Sequence, residues 1–233
     1  MRKFFVFLAL LATSACASPY VAVPFEADQH DISTITLIED VGSADVIAYE
    51  VASAGSNFGL VGALIDAGVQ SSRRQRVEDV LAAANFDAQA YFRARISEEL
   101  EALGYEVETS NAFEREGSKL IASHPSAEGE TTLYLDAVLR SYGLLSSGAG
   151  TPFRPHAAVE AQLVNGDSET VLMRNSVMYG MIGTPQGHIL LSPDAKYAYS
   201  NREELLEDPD RLLASIQDAI SETAVTVARL LAR

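Results

Sequence analysis

Three neighbouring stretches of the sequence, residues 131–143, 155–164 and 170–179, constrain the fold more than any other feature. In the first two, apolar side chains alternate with polar or charged ones, which is the period of a β-strand with one buried face. An Asn-Gly pair at residues 165–166 is a strong hairpin signal. The pattern predicts an antiparallel meander with one covered face, and it places Tyr142 on the opposite, uncovered face.

The two connections of this meander are predicted to differ. Residues 144–154 are rich in Gly and Ser and are expected to form a mobile hairpin tip or a sheet edge. In the second hairpin, a two-residue loop places Ala161 opposite Thr170, whereas an odd loop places Ala161 opposite Val171. Because apolar side chains must share the covered face, we predict a three- or five-residue loop, with a glycine bulge as one option.

Two amphipathic helices are predicted to cover this sheet. Asp87 is a suitable cap for the first, apolar residues then recur every three or four positions, and Gly104 ends it. The second begins with Asp208 as its cap and Pro209 at its first helical position. An apolar stripe of about five turns follows as far as residue 231, which is typical of a helix lying on a sheet.

Short strands are expected outside the meander at residues 32–38 and 105–109, and residues 46–52 are expected to form either a short strand or an extended connection. The predicted fold class is α+β, an antiparallel sheet with mixed edges in which the meander 131–180 is covered by helices 87–103 and 209–231.

The amino terminus has the three parts of a secretory signal peptide. Arg2 and Lys3 are followed by the apolar run of residues 4–12 and by small residues. The apolar run is too short for a permanent membrane helix, which needs about 20 residues.

Residues 13–16, Thr-Ser-Ala-Cys, resemble the lipobox of bacterial lipoproteins. The resemblance implies that Cys16, the only cysteine, is acylated and becomes the new amino terminus. Ala17, where an Asp would signal retention, implies sorting to the outer membrane of a Gram-negative bacterium, facing the periplasm. The alternative is ordinary secretory cleavage after Ala17, since residues 15–17 also fit the A-x-A pattern.

Lipoprotein cleavage before Cys16 gives three predicted segments. They are a lipoprotein signal peptide at 1–15, a tether at 16–31 and a single periplasmic domain at 32–233. The formal charge is −15 at pH 7. Nucleic acid is an unsuitable partner for such a chain, because affinity for it comes from neutralising phosphates with Lys and Arg.

The stretch 55–69 has an unusual composition of small and apolar residues. On a helix, its small residues recur every four positions and would let another backbone approach closely. One interpretation is contact with a partner or the membrane, and the other is a helix or glycine loop buried in its own domain. The candidate contact residues are Gly55, Gly59, Leu60, Ala63, Leu64 and Ala67.

No recognised catalytic motif occurs, and a metal or cofactor is not expected. His124, His156 and His188 are scattered along the chain, although folding could bring them together with Asp136 or Glu160. Scattered histidines usually belong to surface or polar networks, so we predict that the protein is not an enzyme.

The order of elements over residues 32–233 resembles the TolB amino-terminal-like and CsgG-like α/β domain. Residues 55–76 are also similar to periplasmic lipoproteins of Gram-negative bacteria. These resemblances imply a non-enzymatic role in envelope assembly, secretion or scaffolding, with the membrane bound through lipid, a protein partner in the envelope and an oligomer allowed.

Two alternatives stay open at this point. The first is a binding or transport-accessory lipoprotein for a lipid or small apolar ligand, for which a deep apolar cavity beneath residues 55–69 would be evidence. The second is a hydrolase, which requires a buried His–carboxylate pair beside a nucleophilic Ser.

Overall fold

A mixed seven-stranded β-sheet with helices packed on one face makes up the part of the chain that the computed structural model describes. The described residues are 20–30, 32–52, 59–124, 132–183, 185–200 and 202–233. The strands are β1 (Thr34–Ile38), β2 (Asp45–Ala52), β3 (Glu106–Ser110), β4 (Leu133–Gly148), β5 (Arg154–Asn165), β6 (Thr170–Tyr179) and β7 (Ile189–Leu191). The helices are α1 (Gly59–Ala83), α2 (Ala88–Ala102), α3 (Arg202–Glu207) and α4 (Pro209–Arg229).

The strand order is β3-β1-β4-β5-β6-β7, and β2 also pairs with β4. β4, β5 and β6 are antiparallel neighbours. The pairs β1–β3, β1–β4, β2–β4 and β6–β7 are parallel. The predicted α+β class, with an antiparallel meander and mixed edges, is therefore confirmed.

β1 and β2 follow each other along the same edge of β4. Between them, the Val41 carbonyl oxygen accepts a hydrogen bond from the Leu139 N–H at 3.0 Å. At the same level β4 has one residue more than β5, Arg140, and the register shifts there. An extra residue of this kind bends a strand. The gap between β1 and β2 and the bulge at Arg140 therefore lie at the same level, on opposite edges of β4.

The bulge at Arg140 changes which side chains face the helices. Before it, Leu135 and Leu139 lie in the apolar core, and after it Tyr142 and Leu144 pack there. The prediction that Tyr142 points away from the core is wrong, because one added residue moves every later side chain to the other face.

The β5–β6 hairpin has a loop of four residues, since Asn165 pairs with Thr170. The predicted length of three or five residues is wrong. The Asn165 side-chain oxygen accepts hydrogen bonds from the backbone N–H groups of Asp167 and Ser168, at 3.0 and 3.2 Å. This local turn, which Asn forms readily, sets the loop length.

A bulge in β6 then restores the register that burial requires. The pairs beside the loop would place Leu163 opposite Leu172, yet Leu163 pairs with Met173, so Leu172 is an extra residue. Met173 is consequently buried on the helix-facing side with Leu163. Ala161 lies opposite Asn175 rather than opposite the predicted valine.

The predicted helix caps are present. The Asp87 carboxylate accepts hydrogen bonds from the N–H groups two and three residues later, at 3.0 and 2.9 Å. Gly104 follows α2 with a φ of +87°, a left-handed conformation that glycine adopts without strain. Asp208 caps α4 through the Arg211 N–H at 2.9 Å, with Pro209 at the first helical position.

One apolar cluster joins the helices to the covered face of the sheet. α4 packs over the meander, α2 packs against α4 and β3, and the second half of α1 adds Val77 and Leu81. The largest fully buried side chains include Phe92, Ile96, Leu100, Leu135, Leu139, Leu163, Met173 and Tyr199.

Residues 20–30, which the sequence assigns to the tether, are docked on the sheet. Val23 and Arg174 exchange two backbone hydrogen bonds, at 2.8 and 2.9 Å, beside β6. Phe25 packs against the apolar core. The paired backbone and the apolar contact hold this segment in place, although its composition contains no regular period that would predict a strand.

Within the described ranges, no helix combines the length and the apolar character that crossing a membrane requires.

Candidate functional site

The candidate residues chosen from the sequence lie mostly where side chains are not described. Cys16 and Gly55 are outside the described residues. The first half of α1 is helical and contains Gly59, Leu60, Ala63, Leu64 and Ala67. Contact of this half with a partner or a membrane therefore stays a prediction.

The second half of α1 is attached to the sheet by an arginine. Arg73 forms a salt bridge with Glu50 of β2 at 3.0 Å, and its guanidinium lies 5.1 Å from the centre of the Phe153 ring. Arg74 pairs with Glu78 one turn along α1, at 3.5 Å. Arg74 is thus paired along its own helix, as basic residues on a helix face usually are, whereas Arg73 joins the helix to the sheet.

A small cavity lies beneath this part of α1, between Val77, Leu144, Phe153 and Leu212. Its volume is about 20 Å³, which is enough for about one water molecule. It has no room for an acyl chain, so this part of the interior does not favour a buried lipid site. The space beneath residues 59–67 lies outside the described side chains.

A larger groove lies at one end of the sheet, on the face away from the helices. Its volume is about 510 Å³, within the range of small-molecule and peptide pockets. The end of the β4–β5 hairpin forms one wall, and the chain from Gly180 to Pro193 forms the other. The lining residues are Leu145, Ser147, Thr151, Pro152, Arg154, Gly180, Met181, Ile182, Gly183, Leu190, Leu191, Ser192 and Pro193.

The hairpin wall ends in a turn closed by side-chain hydrogen bonds. β4 continues to Gly148, beyond the predicted strand end, and the chain turns back over residues 149–153. The Thr151 hydroxyl is central to the turn: it lies 2.7 Å from the Ser146 hydroxyl, donates to the Gly148 carbonyl oxygen at 2.7 Å and accepts from the Gly148 N–H at 3.0 Å. The predicted hairpin tip is therefore present within residues 144–154, and short polar side chains close its turn, whereas its mobility stays a prediction.

The second wall depends on a glycine. Gly180 has a φ of +67°, and a Cβ on it would overlap the Pro155 carbonyl oxygen. The chain can thus leave β6, cross the end of β5 and return as β7. Met181 and Leu190 on this wall are 41% and 39% exposed, so apolar surface faces the solvent at the rim.

Arg154 is the one charged side chain in the groove lining. It is exposed, and it pairs with Leu145 across the β4–β5 ladder. Sequence reasoning missed this site because its walls are some 30 residues apart in the chain. The Gly and Pro residues of 180–193 predicted a loop, but no local signal shows that this loop returns to the sheet.

His124 belongs to a buried polar cluster at the opposite end of the sheet. Its Nε2 lies 3.9 Å from Asp136 and its Nδ1 lies 3.7 Å from Glu169. Arg115 donates to Asp136 at 2.6 Å, and the Ile121 N–H donates to the same carboxylate at 2.7 Å. The cluster fastens residues 111–124 across the face of the sheet away from the helices.

The Ser141 hydroxyl lies 3.3 Å from the Nε2 of His156. Burial lowers the pKa of His156 to about 4, so its imidazole is neutral near pH 7. His156 pairs with Gly143 in the ladder, seven residues along β4 from Asp136, a separation of about 20 Å. The Ser–His pair and the His124–Asp136 pair that a hydrolase would combine are therefore in different places.

The other two histidines contact aromatic rings. His188 stacks on Tyr20 with 4.6 Å between ring centres, and His30 stacks on Phe25 with 6.0 Å. In the described part of the chain, no group of three or more His, Cys, Asp or Glu side chains could hold a metal ion. The three histidines that the sequence suggested as candidates thus do not converge.

No protein-family model matches this chain, and no curated protein matches it at a significant level.

Proposed function

We propose that the protein is a periplasmic lipoprotein, anchored to the outer membrane through acylated Cys16, whose folded domain binds a protein partner in a non-enzymatic envelope role. The groove between the β4–β5 hairpin and residues 180–193 supports this proposal, because it is an open, preformed surface lined by both apolar and polar side chains. The resemblance to the TolB amino-terminal-like and CsgG-like domain is part of the same proposal.

The partner best suited to the groove is an extended peptide segment. Apolar side chains of such a segment can cover Met181 and Leu190, which are otherwise exposed. Arg154 can receive a carboxylate, either a side chain or a chain terminus, with two parallel hydrogen bonds.

A small apolar ligand is the second candidate. A volume of about 510 Å³ is large enough for one. Photo-cross-linking from the groove distinguishes the two candidates. A peptide partner gives a covalent protein adduct, whereas a small apolar ligand such as a detergent-sized lipid does not.

Lipidation is tested with Cys16→Ser in cells that are fed a radioactive fatty acid. The wild-type protein should carry label and sediment with outer membranes, and the variant should lose both properties. Label on the Cys16→Ser protein, or no label on the wild type, overturns the lipid anchor. The latter result is expected from ordinary secretory cleavage after Ala17.

Partner binding is tested with a photo-cross-linking amino acid at Met181, with one at the exposed Glu108 of β3 as a control. A discrete protein adduct is expected from position 181 and not from position 108. Arg154→Glu should abolish the adduct, whereas Arg229→Glu, an exposed charge reversal on α4, should preserve it. An adduct that is insensitive to Arg154→Glu would contradict a partner in the groove.

A further inference from the structure

β2 presents a free edge to the solvent. It pairs with β4 on one side, and on its other side no strand among the described residues pairs with it. Its eight residues, Asp45–Ala52, include no Pro, Gly, Lys or Arg, the residues with which proteins commonly protect an edge. Such a strand can accept another strand by backbone hydrogen bonding.

The side chains of β2 divide between its two faces. Ala48 is buried against the helices, and Glu50 is paired with Arg73 on that side. Ile47, Tyr49 and Val51 alternate with them and lie on the other face. Tyr49 and Val51 are 38% and 54% exposed, so this face of the edge strand has a continuous apolar row.

The edge beside β2 is also stepped. β3 pairs with β1 and stops at Ser110, while β2 continues along the rest of β4. β3 therefore projects one strand further than β2. A strand added to β2 would lie in line with β3, in a notch about one strand wide.

We propose that β2 pairs with β2 of a second copy of this chain, antiparallel and about a two-fold axis at Tyr49. Tyr49 then lies opposite Tyr49 of the second copy, and Ile47 lies opposite Val51 of the second copy. Isologous contacts of this kind are the commonest in soluble homodimers. The two sheets join into one, with both apolar rows on the same face.

A second copy fits this edge because the row Ile47, Tyr49, Val51 is apolar when read in either direction. In an antiparallel pair, each apolar side chain of one copy therefore lies opposite an apolar side chain of the other. A one-residue shift would turn the second copy over and place the two apolar rows on opposite faces of the joined sheet, so burial selects this register. Charge also permits the contact between two chains of net charge −15. Glu50 is opposite Ala48 in this register, and its carboxylate is already paired with Arg73 at 3.0 Å.

The step in the edge adds shape complementarity. Rotation about the two-fold axis places β2 of each copy in the notch beside β3 of the other. The groove near Leu145 lies on the same face as the apolar row, since Tyr49 pairs with Leu145 in the ladder. The two grooves of a dimer therefore open on one side of the joined sheet. The proposal does not depend on lipid or on a groove ligand.

The test uses the chain with Cys16→Ser, so that an introduced cysteine is the only thiol. Sedimentation equilibrium of the purified protein should show a dimer. Tyr49→Lys, which places two ammonium groups opposite each other, should weaken dimerisation at least tenfold. Glu108→Lys, on the outer strand β3, should leave dimerisation unchanged. A monomer at all concentrations, or a dimer unaffected by Tyr49→Lys, overturns the proposal.

Disulfide formation gives an independent readout of register. Tyr49→Cys should cross-link two copies under mild oxidation, because residues directly opposite in antiparallel strands have Cα atoms about 5 Å apart, within disulfide range. Thr109→Cys on β3 is the matched control and should stay unlinked. Linkage at position 109 instead of 49 contradicts β2 pairing. If Tyr49→Lys unfolds by circular dichroism, Val51→Lys replaces it.

Discussion

The guanidinium of Arg115 and the carboxylate of Asp136 form a buried ion pair, with 2.6 Å between Nη2 and Oδ1 and side chains that are 1% and 0% exposed. Arg115 also donates to the carbonyl oxygens of Asp40 and Lys119. One side chain thus connects β4, the β1–β2 junction and the segment that follows β3.

Asp136→Asn should destabilise the protein by about 3–5 kcal/mol, because it leaves the charge of Arg115 buried without its counter-charge. Urea unfolding followed by circular dichroism measures the change. Lys119→Met removes the exposed pair with Glu116 and should change stability by less than about 1 kcal/mol. Equal effects of the two substitutions would contradict the structural role of the buried pair.

His156 should make stability fall in mild acid. Burial lowers its pKa from 6.5 to about 4 in the folded protein, so between these values the unfolded chain binds the additional proton. The contribution of neutral His156 to the free energy of unfolding is then fully present above about pH 6.5. It is lost as the pH falls towards 4, with a slope of up to about 1.4 kcal/mol per pH unit. His156→Gln should remove this slope, as measured by urea midpoints at pH 7.5, 6 and 5. His30→Gln, at a half-buried site, should retain it.

Gly143→Ala should be more damaging than an alanine at another glycine with positive φ. Gly143 has a φ of +135°, and a Cβ there would overlap the Ile47 carbonyl oxygen of β2. Strain and overlap together should cost about 3 kcal/mol or more. Gly150, with a φ of +78° and open space around it, should cost only about 1–2 kcal/mol. Thermal unfolding of both variants makes the comparison, and equal losses would argue against close packing of β2 on β4.

Asp87→Ala should cost about 1 kcal/mol, because the first turn of α2 loses two hydrogen bonds to its N–H groups. Asp79→Ala, at an exposed position on α1 where Gln75 donates to the carboxylate, should change stability by less than about 0.5 kcal/mol. Chemical denaturation resolves the difference. No loss in the Asp87→Ala protein would mean that water replaces the cap.

Signals that act within a few residues were enough to predict α2 and α4. Asp87, Gly104 and Asp208 each determine a helix end through the chain's own neighbouring N–H and C=O groups. The first two strands of the meander were predicted for the same reason, since a period of two is visible in each of them. These elements and the α+β class are confirmed.

Features that depend on a neighbouring strand were not predictable in this way. The bulges at Arg140 and Leu172 exist because two strands must bring their apolar residues to one face, and neither strand alone specifies where the extra residue lies. The groove has the same origin. Arg154 and Met181 become neighbours only because Gly180 lets the chain turn back over Pro155.

If Cys16 is acylated, the docking of residues 20–30 on β6 limits how far from a bilayer the domain can stand. Only three residues separate Cys16 from Tyr20, and the four Cα–Cα steps between them span at most about 14 Å. Tyr20 stacks on His188, beside the wall of the groove, and β3 lies at the far edge of the sheet. If Cys16 carries lipid, a dye on Met181→Cys should be quenched by headgroup-attached spin labels more strongly than one on Glu108→Cys. With lipid on Cys16, this short stand-off would make the groove accessible to segments that emerge from the membrane surface, and it would exclude a partner that requires clearance of several nanometres.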